Sequence, residues 1–303
     1  MGRRYVRDPN RFIVNENNVL TKVKGDYANL AIPNTVEIIR DRLFYENNVL
    51  ESILIPNSVL EIWDEAFYEC VNLEHVVLSN RLTKIGEYSF CGCEKLEHIT
   101  FFEGLKEIGG DAFLNCQKLT EISLPEGLEW IGDNAFRGCS LTSVRIPASV
   151  KSIGANAFAC ESFVHIEVDE NNPWLKSIDG NLYSKDGKTL IRYAVGKNEE
   201  TFVISNTVTR IGESAFSFCN LTNIVLPDTI TDIYSWAFAG CKKLQRLEIP
   251  CSVSNIGKCI ISGSDSVGLI VDPQNRYYKM KNGELFTTKW GGMTKVPLIY
   301  EGY

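Results

Sequence analysis

Phenylalanine returns along this chain at a nearly fixed interval, at positions 67, 90, 113 and 136, 23 residues apart each time. Phe44 stands 23 residues before the first of these, and Phe158 follows the last after 22. Phe216 and Phe238 are again 22 apart, with Ile261 a further 23 on. Other columns keep step. Five residues ahead of the aromatics come Ile39, Ile62, Ile85, Ile108, Ile131, Ile153, Ile211, Ile233 and Ile256, and behind them Leu50, Leu73, Leu96, Leu119, Leu141 and Leu221. Where a unit is one residue shorter, the loss falls between the aromatic and the leucine, so the remaining columns hold their register. Self-similarity at a period of 20–50 residues is the signature of stacked structural units, each too small to bury its own apolar face.

Within one unit the pattern reads as a coil. In Leu119 to Pro125, Ile122 and Leu124 alternate with polar Glu121 and Ser123, the period-two signature of a half-buried strand. Pro125 ends that strand because it lacks a ladder donor. Leu128 and Ile131 form a second inward stretch, Gly132 is expected to let the chain turn, and Ala135-Phe136 fills the next corner. The fold class expected is a β-rich repeat solenoid with little helix, of about nine 22–23-residue coils with added β-hairpins. The 44% hydrophobic content supports a continuous core of this kind.

The full pattern, Cys116-x-x-Leu119-x-x-Ile122-x-Leu124-Pro125-x-x-Leu128-x-x-Ile131-Gly132-x-x-Ala135-Phe136, resembles the BspA-like, Treponema pallidum-type leucine-rich repeat. The resemblance covers residues 32–261 apart from one interruption. Departures occur at Arg42-Leu43-Phe44, at Asn47 in the cysteine column, at Ser79 and Phe102 in the proline column, and at Ile260-Ile261. The first and last lie at the ends, where atypical units cap a solenoid.

Three segments stand outside the repeat, so the chain is read as a cap with a hairpin (1–31), repeats (32–168), a β-hairpin insertion (169–201), further repeats (202–271) and a hairpin cap (272–303), all in one continuous solenoid domain. The insertion carries Asp179-Gly180 and Asp186-Gly187 between apolar runs, a hairpin signal. It is expected to project from the solenoid's side without adding a coil. Residues 272–303 repeat its theme 103 positions later, with Asn275, Gly283, Leu285 and Phe286 matching Asn172, Gly180, Leu182 and Tyr183.

Candidate chemistry is sparse. Cys70, Cys93, Cys116, Cys139, Cys219 and Cys241 share one column three residues after the aromatic. Parallel side chains in a column do not converge as a disulfide requires, so all ten cysteines are expected to be free thiols, most of them packing residues. Cys91-Gly-Cys93 has no matching second pair for zinc, and no metal or other cofactor is expected. Gly187-Lys188-Thr189 is half a phosphate-binding loop, but Leu182 stands where its first glycine is needed. No Gly-x-Ser-x-Gly elbow occurs. An enzyme is not expected; one would need a site built on residues 169–201.

What remains is surface. The three histidines, His75, His98 and His165, fall in one outward strand column, with Glu121, Arg145, Glu167, Arg246 and Glu248 on neighbouring outward positions. These eight residues are the candidate binding face, because solenoids recognise partners along extended surfaces. A net charge of −7 argues against nucleic acid as the partner. Nor does any apolar stretch approach the roughly 20 residues of a membrane span. Arg3, Arg4, Arg7 and Arg11 read as a solvated terminus, and Arg4 to Pro9 interrupts any secretory leader. The expected partner is a protein, bound by a monomer. The family resemblance implies adhesion to host or cell-surface proteins by secreted or surface-displayed chains. An intracellular interaction scaffold is the alternative, since neither an export signal nor a terminal anchor is read here and a cytoplasmic site stays open.

Overall fold

The computed structural model describes residues 4–264, 266–289 and 293–299; Arg3 and the other residues at 1–3, 265, 290–292 and 300–303 lie outside the described residues. Two compact units emerge, one formed by Met1–Phe163 with Glu167–Trp174, the other by Val164–Ile166 with Leu175–Tyr303. Both are β-solenoids. Apart from a 3-10 turn at Pro9–Arg11, the described residues contain no helix.

In the first unit the isoleucine column becomes the spine of a sheet. Ile39, Ile62, Ile85, Ile108, Ile131 and Ile153 stand opposite one another in successive parallel two-residue strands. Each is almost fully buried except Ile153, which is partly covered. The hairpin Phe12–Val14 and Val19–Val23 starts this sheet, and Leu20 pairs with Ile39. On another side of the coil, Asn29–Ala31, Ser52–Leu54 and His75–Val77 pair in parallel, extended by a bridge from His75 to His98.

The phenylalanines stack as the repeat requires. Ring centroids from Phe44 through Phe67, Phe90 and Phe113 to Phe136 are separated by 5.0, 4.9, 5.3 and 5.2 Å, with planes within 10° of parallel. A stacked spacing near the 4.8 Å strand separation lets every ring touch both neighbours. In the second unit Tyr193, Phe216 and Phe238 continue the theme, 5.4 Å apart at each step.

Two features at the corners differ from the sequence reading. The residue two before each aromatic, or before Ile261 in the same column, is left-handed: Arg42, Glu65, Tyr88, Asp111, Asn134 and Asn156, then Ser214, Trp236 and Cys259, all with φ between 53° and 61°. Arginine, tyrosine and tryptophan have no preference for this region. The conformation is held by main-chain bonds to the next coil, such as Glu65 N to Glu87 O at 2.8 Å and Asp111 N to Asp133 O at 2.7 Å. The glycine column, by contrast, is not a turning device. Gly109 and Gly132 lie outside the left-handed region, and a Cβ on Gly132 would sit 2.3 Å from Gly110 N. Glycine is there because adjacent coils approach too closely for a side chain.

The meander of the second unit corrects the expected side projection. Leu175–Ile178, Asn181–Ser184 and Thr189–Arg192 are antiparallel, and the last then pairs in parallel with Arg210–Ile211. Leu190 and Tyr193 enter the core with Ile211 and Phe216. The insertion therefore supplies a coil. Val19–Val23 does the same in the first unit, which is why about 11 turns are present against the nine read from the repeat.

In each unit a buried asparagine brackets a preceding turn of its own unit. Asn172 Nδ2 donates to Pro147 O and Val150 O at 2.9 and 2.8 Å, and Asn275 Nδ2 to Pro250 O and Val253 O at 2.8 and 3.0 Å. The offset of 103 residues thus marks a shared bracket as well as a shared hairpin.

Candidate functional site

Strand alternation decides which side chains reach solvent. On the first unit, Val76, Ile99, Leu124 and Val144 point inward and are buried, while His75, His98, Glu121 and Arg145 point outward. His75 and His98 occupy adjacent rungs, but they reach toward different carboxylates. His75 Nε2 lies 3.8 Å from Glu74 and His98 Nδ1 4.0 Å from Glu121 on the following rung. The Glu121 side chain is 81% exposed. No group of three His, Cys, Asp or Glu side chains placed to hold a metal is present among the described residues.

Arg145 is the best-organised of the eight candidates. Its Nη1 lies 3.0 Å from Glu126 and its Nη2 2.5 Å from Asp169, with Nε 3.9 Å from Glu167. Hydrogen bonding to Glu126, with further attraction from Asp169 and Glu167, raises the guanidinium above its ordinary value. One fixed cation amid three carboxylates makes a locally acidic patch with a rigid centre. Along the same unit, Lys118 and Lys151 hold Glu97 and Glu129 below the usual carboxylate range through hydrogen bonds and charge. Asp111 is pushed the other way by burial, in an open groove of about 410 Å³ that Glu87, Tyr88 and Asp133 also line.

The second unit carries the other three candidates. His165 is exposed and lies against the hairpin turn, where a Cβ on Gly180 would meet its Nδ1 at 2.8 Å. Arg246 and Glu248 both project from the strand Arg246–Ile249 and form an ion pair with each other. The eight residues thus divide between the units: His75, His98, Glu121, Arg145 and Glu167 belong to the first, His165, Arg246 and Glu248 to the second.

Sequence reasoning passed over a row of exposed aliphatic residues. Val203 pairs with Val225, Asn223 with Arg246 and Glu248 with Ile270, which sets Val203, Val225, Glu248 and Ile270 in one row. Val203, Val225 and Ile270 are 66, 41 and 40% exposed. The signal was present for two of them: Val203 and Val225 stand two residues after outward Thr201 and Asn223, and all three fall in the column that carries Arg145 and Glu167 in other coils.

No helix among the described residues is long and apolar enough to cross a membrane. A search of curated proteins returned no match. Solved structures are similar over most of the chain. A leucine-rich repeat protein from Eubacterium ventriosum is 23% identical with a TM-score of 0.68, covering 85% of this chain and 68% of its own, a likeness of fold. The pneumococcal vaccine antigen PcpA is 25% identical with a TM-score of 0.72, covering 87% and 79%. A leucine-rich cell surface protein from Faecalibacterium prausnitzii is 27% identical with a TM-score of 0.60, covering 91% and 96%. The model of the BspA type leucine rich repeat region matches in six copies across residues 22–117, 93–194 and 193–282. With the period, the stacked columns and this match in agreement, the chain belongs to the BspA-type leucine-rich-repeat family.

Proposed function

We propose that this protein is a non-catalytic binding module that recognises a protein partner through the outward rows of its coils, displayed at a cell surface. The single observation that carries the reading is the row Val203, Val225, Glu248 and Ile270, three exposed aliphatic side chains in register with Glu248 of the Arg246–Glu248 pair among them. Leaving apolar area in water costs roughly 25 cal/mol per Å², and exposed aliphatic side chains mixed with an ion pair have the composition of a recognition surface. Display at a surface is supported by the likeness to the Faecalibacterium protein, which is a cell surface protein.

Immobilised protein should retain specific partners from a preparation of host or neighbouring-cell surface proteins. Val225→Glu and Arg145→Glu variants, checked for unchanged melting, should lose that retention. If both variants hold the same proteins as the parent, the outward rows are not the recognition surface.

A further inference from the structure

Most thiols of the cysteine column have the same partner. Cys70, Cys93, Cys116 and Cys139, joined by Cys160 two residues after Phe158, donate to the carbonyl of the aromatic in the preceding coil, Phe44, Phe67, Phe90, Phe113 and Phe136, at 3.0–3.3 Å. Ser264 uses its hydroxyl in the same way, to Phe238 O at 2.8 Å. Cys241 conforms, donating to Phe216 O at 3.1 Å. Cys219 departs from the pattern: its thiol is directed at the sulfur of Cys241, 3.2 Å away.

The two sulfurs are both buried in the core of the second unit. They lie one coil apart, and stacked strands separate Cα atoms by about 4.8 Å, inside the roughly 4.4–6.8 Å range that a disulfide spans. Closing the bond needs an approach of roughly 1.1 Å, from the observed 3.2 Å to the S–S length. A fixed cation stands close by: Arg192, buried, donates to Ser214 O at 2.8 Å and to Ser217 Oγ at 2.9 Å, two residues before Cys219.

We propose that Cys219 and Cys241 are an oxidation site, forming a reversible intramolecular disulfide with hydrogen peroxide as oxidant. Cys219 gives up its proton, the thiolate attacks one peroxide oxygen, the O–O bond breaks, and the leaving hydroxide takes up that released proton to become water. Cys241 then attacks the sulfenic sulfur of Cys219. The S–O bond breaks, the S–S bond forms, and the expelled hydroxide takes the Cys241 proton as a second water. Two thiols are oxidised and one peroxide is reduced. A small oxidant suits the site, because a bulky disulfide would have to enter the core. The electrostatics fit these roles: the hydrogen bond shared with Cys241, with the Leu221 backbone and the Arg192 charge adding to it, holds the Cys219 thiol below its ordinary value against burial, and the same pairing pushes Cys241 up.

Fully reduced protein would be treated with hydrogen peroxide under native conditions, unfolded, alkylated and mapped by mass spectrometry. The expected product has lost the mass of two hydrogen atoms and carries a Cys219–Cys241 crosslinked peptide. Eight of the ten cysteines remain alkylatable, ten less the linked two, and dithiothreitol restores all ten. Cys219→Ser should abolish the crosslink while keeping the fold, since Ser264 occupies the same column in this chain; Cys241→Ser provides the same test from the other side. Ten alkylatable thiols after peroxide treatment, or crosslinks scattered along Cys70 to Cys160, would overturn the assignment.

Discussion

Leu190 stands directly opposite Ile211 in a parallel strand pair, although the two belong to a hairpin meander and a regular coil. That pairing makes the meander a structural member of the second unit. Leu190 and Tyr193 are both essentially inaccessible to solvent. Leu190→Ala should therefore cost roughly 2–5 kcal/mol by leaving a cavity. Replacing residues 175–198 with a Gly/Ser linker should abolish cooperative melting of the second unit. Sharp, parent-like unfolding of the deletion variant in a denaturant titration followed by circular dichroism would refute this.

The asparagine brackets offer an independent check. Asn275 Nδ2 satisfies the carbonyls of Pro250 and Val253. Its Oδ1 accepts from the backbone N–H groups of Tyr277 and Tyr278. Asn275→Ala strands buried partners, each worth about 1–3 kcal/mol when left unmade. Asn275→Asp should be at least as costly, because an ionised carboxylate cannot donate to two carbonyls. Urea melts of both variants against the parent measure this directly.

Raising the pH should weaken the fold. Burial pushes Cys70 up to about 12 and Cys91 to about 11, and burial also pushes Tyr68 and Tyr183 up to about 12. In the unfolded chain thiols ionise near 8.5 and phenols near 10. Groups raised on folding contribute stability that is complete below the unfolded values and is lost as pH climbs through the folded ones. The denaturant midpoint should thus hold steady from about pH 7 to 8 and fall progressively above about pH 8.5. A midpoint that is flat or rising up to about pH 11 would contradict the burial of these groups.

Inward columns were legible because each coil must meet its copy: Phe90 and Phe113 are alike because each is packed against the other. Features held by contacts between coils were not. Nothing in Arg42, Tyr88 or Trp236 announces a left-handed backbone, which the neighbouring coil's carbonyl imposes. Gly132 looked like a turn residue, whereas the constraint on it is the backbone of Gly110. The meander at 175–198 broke the period, so periodicity could not reveal that Leu190 and Tyr193 occupy the columns of Ile211 and Phe216. Among outward residues, alternation located Arg145 and Arg246 correctly on the surface, but the ion pairs that fix their direction come from Glu126, Asp169 and Glu248. Val203, Val225 and Ile270 were passed over because aliphatic residues in strands are ordinarily taken as core.

The division between inward columns that carry stability and outward rows free for recognition is tested most directly by one pair of denaturant melts. Phe113 is fully buried and stacks on Phe90 and Phe136 at 5.3 and 5.2 Å. Phe113→Ala should cost about 3–5 kcal/mol. Glu121→Ala, eight residues along and exposed to solvent, should change stability by less than about 0.5 kcal/mol. Comparable losses at the two positions would contradict the assignment of inside and outside on which the account rests.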